Sequence, residues 1–366
     1  MGNQDVVLTG IDTLAVGFRI SEYKLAAEDW QGLEHAKDAA QASLFSNEGS
    51  PVTFQGRDFS LARKGSRGYE YILTSDDVTV QIAPRADGGA SYPEVRVTFR
   101  STYLWRHGWR GAFRSVESWV AEWADIAGDK VSRVDLMVDI NAALPEVNFR
   151  AREVVSRART RKEFYMERHL TGLEETGYSF GRGDVLARIY DKRAEIENSL
   201  KVWFEDMWRE RGWDGETPVT RVEFQMRRNF LRSMQVETVQ DLDAQLGDLW
   251  KYLTREWLQL KDEDKHDGNR SRWEPKSFWK VAMVAVTAFG VVTGVARITQ
   301  RRPKREALER LSRGVAVSLV ATTVTTYPDM PLTAAVWGCW RTIKRFFEDP
   351  DFELAVQRRA AGLAML

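Results

Sequence analysis

Cysteine is nearly absent from this sequence. A single Cys339 in 366 residues excludes an internal disulfide and any multi-cysteine zinc site, and it suits a reducing cytoplasm. Such a lone cysteine ordinarily serves as a small buried hydrophobe. No charge of either sign is in surplus: Lys+Arg and Asp+Glu both number 53, so nucleic-acid binding would have to come from local patches. The four histidines, His35, His107, His169 and His266, are isolated and read as surface or structure. Long apolar runs are missing too. The longest uncharged stretch in question, Val281 to Ala296, has 16 residues against the roughly 20 that span a bilayer. Gly290 and Gly294 within it form a small-xxx-small pair that suits a close soluble helix contact equally well. The amino terminus, with Asp5 and Asp12 around a short Val6 to Leu8 run, lacks the basic region and long apolar core of a secretory signal, so export is not expected.

What remains is a chain long enough for two domains, or for one large domain with a helical appendage. Apolar alternation and turn residues predict strands at Ile11–Ile20, Val52–Ala62, Gly68–Leu73, Val78–Ala83 and Pro93–Thr102, with helices at Leu25–Phe45 and Ser115–Ile126. A second unit repeats the plan. It has a strand at Val131–Ile140, a helix near Val147–Ala158, a hairpin at Thr176–Asp191, a helix at Ala194–Arg211 and a strand at Val219–Arg227. The expectation is α+β, two similar αβ halves (about 1–128 and 129–235) forming a mostly antiparallel sheet, followed by a helical C-terminal region. With a helix over 238–260, the halves make a domain of residues 1–265. The polar stretch Lys261–Arg272 is taken as the boundary before helical residues 270–366.

Three strands carry charge where a plain sheet has no need of it. Period-2 alternation places Arg133, Asp135, Met137 and Asp139 on one face, Arg188, Tyr190 and Lys192 on another, and Arg221, Glu223, Gln225 and Arg227 on a third. If the strands are neighbours, these faces form a plate of carboxylates, guanidinium groups, one lysine and one tyrosine. That inventory suits phosphodiester chemistry: carboxylate oxygens hold Mg²⁺ or Mn²⁺, and cations stabilise charge developing on the phosphate. A tyrosine nucleophile would conserve the energy of the cut backbone in a phosphotyrosyl ester. A solvated sheet face with cross-strand ion pairs is the plainer alternative. Gly181 and Gly183 mark a tight hairpin turn whose tip, Arg182, is a candidate DNA contact or an ordinary solvated residue. Tyr178 on the partner strand is an alternative nucleophile, but it lacks the flanking Arg188 and Lys192. The basic segment Arg150–Arg168 reads equally as a phosphate track or a charged helix face. A denser run near Arg301 and Arg302 separates two apolar helical stretches; it either grips DNA or flanks a membrane. Tyr327–Pro331 should break the second of those helices.

Ser132–Asp139 (SRVDLMVD), Thr176–Gly183 (TGYSFGRG) leading into Ala187–Lys192 (ARIYDK), and Thr220–Phe224 (TRVEF), in that order, resemble the replication initiation factor family. This family takes in trans-acting rolling-circle plasmid Rep proteins, filamentous-phage replication proteins and relaxases of integrative elements. Gly10–Val16 (GIDTLAV) resembles its first strand, and the resemblance runs from about residue 10 to residue 235. It implies that Tyr190 is the nucleophile and that Asp135, Asp139 and Glu223 hold the metal, with no His-hydrophobe-His triplet. Arg188, Lys192 and Arg221 would then stabilise phosphate and tyrosinate, tyrosine's ordinary pKa of about 10 making such help necessary. Arg133, Arg182, Arg227, Arg301 and Arg302 would contact DNA. The implied protein is a cytoplasmic rolling-circle replication initiator, a site-specific endonuclease and strand transferase of a plasmid, phage or other mobile element. A relaxase for conjugative transfer and a non-catalytic origin-binding regulator are the alternatives. Its expected partners are duplex and single-stranded origin DNA, a host helicase and polymerase, and a second copy of the chain, with no stable membrane association.

Overall fold

The computed structural model describes residues 5–42, 49–66, 68–84, 92–147, 152–156, 166–171, 174–199, 201–295, 297 and 304–347. A long strand β1 (Val6–Tyr23) and helix α1 (Ala27–Ala42) lead into five short strands, β2 (Ser50–Phe54), β3 (Arg57–Leu61), β4 (Tyr71–Thr74), β5 (Val78–Ile82) and β6 (Val95–Phe99). Helices α2 (Ser101–His107) and α3 (Trp109–Trp123) follow. The second half opens on an equally long β7 (Ala124–Asn141) and continues through β8 (Val154–Val155), β9 (Met166–Thr171), β10 (Glu174–Phe180) and β11 (Val185–Asp191). Helices α4 (Lys192–Ser199) and α5 (Trp203–Arg209), strand β12 (Val219–Arg227) and helix α6 (Arg228–Ser233) complete it. Helix α7 (Val239–Tyr252), opened by a capping box between Thr238 and Asp241, runs into a π-helical turn at Leu253–Trp257. Then come β13 (Gln259–Leu260), α8 (Ser277–Val284) and α9 (Val286–Phe289), and finally α10 (Lys304–Thr326) and α11 (Leu332–Phe347).

The fold is α+β. Eleven strands form one antiparallel sheet in the order β2-β3-β4-β5-β6-β1-β7-β12-β11-β10-β9, and β13 pairs with β8 apart from it. The two halves follow one rule: the first strand lies at the centre, the last beside it, and the others run outward in reverse order. β1 and β7 pair along nearly their full lengths, with register shifts that mark β-bulges.

The apolar face of the sheet is covered by α1, α3, α7 and α8, whose Leu33, Val116, Trp123, Leu249, Trp250 and Trp279 are buried. On the other face a second cluster joins Phe204 and Trp208 of α5 to Val7, Leu8, Met137 and Val219. That helix packs over the part of the face where Asp139 and Arg221 lie, with Trp208 on Asp139 and Phe204 against Arg221.

Several elements differ from expectation. The strand expected at Val52–Ala62 is a hairpin, turned at Gln55 and Gly56 with φ of 48° and 72°. Instead of a helix near Val147–Ala158, the described part holds the short strand β8 paired to β13. The helix expected over Ala194–Arg211 is two helices, α4 and α5, and the helical part of Val281–Ala296 ends at Phe289, before Gly290 with φ 114°. The chain divides into two compact units, Met1–Ile298 and Thr299–Leu366. The polar stretch Lys261–Arg272 therefore lies inside the first unit. There the buried Lys261 donates to the carbonyls of Ser271 and Trp273 at 2.8 Å each, and beyond it Phe278 and Trp279 enter the main core. In the second unit, α10 ends at Thr326, where Tyr327–Pro331 was expected to break it. Among the described residues no helix is long and apolar enough to cross a membrane.

Candidate active site

The three charged strands are neighbours, in the order β7-β12-β11. Register sets Tyr190 opposite Arg221, Arg188 opposite Glu223, Arg221 opposite Asp139 and Gln225 opposite Asp135. Alternation then turns all of them to the face that α5 partly covers. A cleft of about 550 Å³ opens there, lined among others by Asp12, Arg188, Tyr190, Lys192, Glu195 and Glu223.

At its centre the Tyr190 hydroxyl donates to Glu223 Oε2 at 3.0 Å, while Arg188 Nη1 donates to Glu223 Oε1 at 2.8 Å. A hydroxyl bonded to a carboxylate that is itself held by a guanidinium has the geometry in which the carboxylate could accept the hydroxyl's proton. Burial, and next the charge of Glu223, raise the Tyr190 pKa well above its ordinary value against the opposing pull of Arg221, so the resting side chain is a phenol. The tyrosine has room because its partner on β10 is Gly177, where a Cβ would fall 2.7 Å from Tyr190 Cβ. Lys192 begins α4 rather than ending β11. Its ammonium pairs with Glu195 and lies 4.5 Å from the Phe204 ring centroid and 5.7 Å from that of Tyr190. Burial, then the charge of Arg221, depresses its pKa. Asp191 fixes the turn between strand and helix by accepting from the backbone N–H groups of Arg193 and Ala194.

Behind the cleft is a buried ionic layer. Arg221 is fully buried and binds Asp139 through Nε at 2.6 Å and Nη2 at 2.9 Å, with Nη1 on Asp12 at 2.9 Å. Its guanidinium lies 4.4 Å from the Phe204 ring centroid. Asp139, also fully buried, takes its remaining bond from the Trp208 indole at 2.9 Å. Arg221 thus holds Asp12 and Asp139 neutralises Arg221, and neither Arg221 nor Asp139 is among the residues lining the cleft. Burial opposes the charged form of Asp12, but Arg221, then Lys192 and Lys201, outweigh it and hold the carboxyl below its usual range. Asp135 behaves oppositely: burial, with the nearby charges of Glu223 and Asp12, pushes its pKa up to about 7 although Arg133 is bonded to it.

Oxygen donors of this kind suit a hard cation. Four acidic side chains line the cleft, Asp12, Asp191, Glu195 and Glu223; Asp191 is engaged by the backbone of α4 and Glu195 by Lys192, which leaves Asp12 and Glu223 as the better placed donors. Among the described residues no three His, Cys, Asp or Glu side chains are grouped to hold a metal ion. The carboxylate oxygens of Asp12 and Glu223 are donors of the type a hard cation takes, and two such side chains would fill only part of its shell.

Sequence reasoning missed Asp12 as a site residue. It falls at a register shift of β1, between Ile11 opposite Leu136 and Thr13 opposite Asp135, and such a bulge re-aims a side chain. A carboxylate in a largely apolar strand was the available signal. Glu195, Lys201 and Gly177 were missed as well. Tyr178, opposite Ile189, is buried in the main core and also lines this cleft. Arg182 is exposed at the β10–β11 turn, away from the residues lining this cleft. Arg133 and Arg227 line a second cleft, described below. Arg301, Arg302 and most of the basic segment Arg150–Arg168 lie outside the described residues.

No protein-family profile matches the chain, and no curated protein matches it. Among solved structures the resemblance is loose. The rolling circle replication initiator protein from Geobacillus stearothermophilus matches with a TM-score of 0.44 and 17% identity over 81% of this chain and 100% of that one. Likeness at that level transfers no residue's role, and the reading of the cleft rests on its own geometry.

Proposed function

We propose that this chain cuts one strand of DNA through Tyr190 and serves as a rolling-circle replication initiator. The observation that carries the reading is the Tyr190–Glu223 hydrogen bond of 3.0 Å, held by Arg188 in an open cleft. In the proposed reaction the Tyr190 oxygen attacks a backbone phosphorus and its proton passes to Glu223 Oε2. The bond from phosphorus to the 3′ oxygen breaks, and that oxygen leaves as a hydroxyl after taking a proton from solvent. The 5′ phosphate stays esterified to Tyr190, and the free 3′ hydroxyl can prime a polymerase. Rejoining reverses these steps.

Since the tyrosine rests as a phenol, removal of its proton must accompany attack, which is the task of an adjacent carboxylate. Arg188, Lys192 and Lys201 are the cations that line the cleft, and Arg188 and Lys192, flanking Tyr190 in the chain, would meet the non-bridging phosphate oxygens. Asp12 and Glu223 would hold a Mg²⁺ or Mn²⁺ ion, which supplies further neutralisation of the phosphate. A relaxase of an integrative element would use the same chemistry on a different origin. A non-catalytic origin-binding regulator would have no use for a tyrosine bonded to an oriented carboxylate. The test is incubation of the purified chain with supercoiled DNA carrying its own gene neighbourhood, with and without EDTA, followed by mapping of the adduct. The expected result is a metal-dependent DNA adduct on Tyr190, absent from Tyr190→Phe although that variant still binds DNA. Normal adduct yield from Tyr190→Phe would remove Tyr190 from the reaction, and indifference to EDTA would remove the ion.

A further inference from the structure

A second cleft, of about 530 Å³, opens on the same sheet face. Register builds it: Gln81, Arg96, Gly17 and Lys130 stand in one row across β5, β6, β1 and β7, and Arg133 stands opposite Arg227 across β7 and β12. Lys130 and Arg133 share a face despite their odd spacing because Ser132 is an extra residue in β7, where Arg133 and Val131 oppose the adjacent Ala15 and Val16. Arg96, Lys130, Arg133, Arg227 and Arg228 line the cleft against one carboxylate, Asp184.

Two of these cations are already spent, Arg133 on Asp135 and Arg228 on Glu237. Lys130 instead sits near Arg228, Arg19 and Arg232; burial, and then their like charge, depresses its pKa. Among the described residues neither Lys130 nor Arg227 enters an ion pair. Beside them the Tyr92 ring is 37% exposed and leans on Tyr69 with centroids 5.5 Å apart. Unneutralised cations next to an accessible aromatic face are the elements from which single-stranded nucleic acid sites are made. An acidic peptide or free anion would use the cations and leave the ring idle. The position also fits. Six residues of β12 separate Arg221, opposite Tyr190, from Arg227, which at about 3.4 Å per residue is roughly 20 Å, or about six stacked nucleotide steps.

We propose that this cleft binds the DNA strand about six nucleotides from the phosphate cut at Tyr190, with Lys130 and Arg227 on its phosphates and Tyr92 on a base. The proposal rests on the strand-cutting reading of the Tyr190 site, and the experiment separates the two. Binding is measured by fluorescence anisotropy in the full-length Tyr190→Phe chain, which cannot cut. The probes are labelled mixed-sequence oligonucleotides shorter and longer than about six nucleotides. Adding Lys130→Gln with Arg227→Gln should weaken the long probe about tenfold or more. It should also make the plot of log affinity against log salt shallower by about 1.4, two phosphate contacts at about 0.7 each. The short probe should be little affected. Tyr92→Leu, at an exposed ring, should weaken the long probe about tenfold without changing the salt slope, and Lys130→Arg should retain affinity. Unchanged affinity and slope in the double variant, or in Tyr92→Leu and Lys130→Gln singly should the double variant fail to fold, would overturn the proposal. The outcome in which these losses appear but the unsubstituted chain forms no adduct keeps the cleft and discards the cutting reaction. Normal adducts with unaltered binding do the reverse.

Discussion

Two carboxylates to which the family resemblance gives the same role, Glu223 and Asp139, sit in different surroundings in the structure, and substitution should separate them. Glu223 accepts from Tyr190 and Arg188 at the cleft wall, so Glu223→Gln keeps the shape but can accept at only one of the two positions and cannot take a proton. Single-turnover cleavage should fall by about 10²–10⁴, with DNA binding and the thermal midpoint nearly unchanged. Asp139 balances the fully buried Arg221. Removing one partner of a buried pair leaves a charge uncompensated, at a cost of about 3–5 kcal/mol. Asp139→Asn should therefore lower the thermal midpoint by several degrees and reduce activity only in proportion to the folded fraction. Loss of cleavage at an unchanged midpoint would instead return Asp139 to the cleft as a metal ligand.

At the scale of the element, alternation was a sound guide wherever strands are regular and failed wherever they are not. It placed Arg188 with Tyr190 and Glu223 with Gln225 on one face, because β11 and β12 pair without a register shift. Counting by twos misses a bulge, so Asp12 and Lys130, set by irregularities of the β1–β7 pair, could not be read from spacing. Alternation also names a face without saying what covers it. That Phe204 and Trp208 of α5 would bury Asp139 and Arg221 depends on a helix distant in sequence. Gly177 shows the same gap: nothing near it in sequence marks it as the space Tyr190 needs. A Cβ there meets Tyr190 Cβ at 2.7 Å and the Ile189 carbonyl oxygen at 2.8 Å, so β10 and β11 must separate or the tyrosine must shift. Displacement of a reacting group by about 1 Å can cost about 100-fold in rate. Gly177→Ala should then slow adduct formation by one to two orders of magnitude with little change in DNA affinity. An adduct rate equal to the unsubstituted chain would mean that the strands absorb the methyl group.

For the molecule as a whole, the polar stretch 261–272 resembles a linker in composition, and the reason it is not one lies beyond it. Phe278, Trp279, Ala282 and Phe289 are buried in the main core, the Trp279 indole donates to the Thr254 carbonyl at 3.0 Å, and Trp250 donates to that of Ala282 at 2.8 Å. A chain ended near Lys265 would lose all four apolar side chains. Truncating one buried large aromatic costs about 3–5 kcal/mol, and a domain's whole stability is only about 5–15 kcal/mol. Such a chain should be largely unfolded and inactive, although composition alone would place a domain end there. Ending instead at Ile298, where the first compact unit ends, should leave a cooperative thermal transition and normal cleavage of single-stranded DNA. The sequence removed contains Arg301, Arg302, Lys304, Arg305, Arg310 and Arg313. If these residues grip duplex DNA, the shortened chain should bind duplex origin more weakly and with a flatter salt dependence, each lost phosphate contact reducing the slope by about 0.9. Equal duplex affinity and slope in the two chains would assign residues 299–366 to something other than DNA.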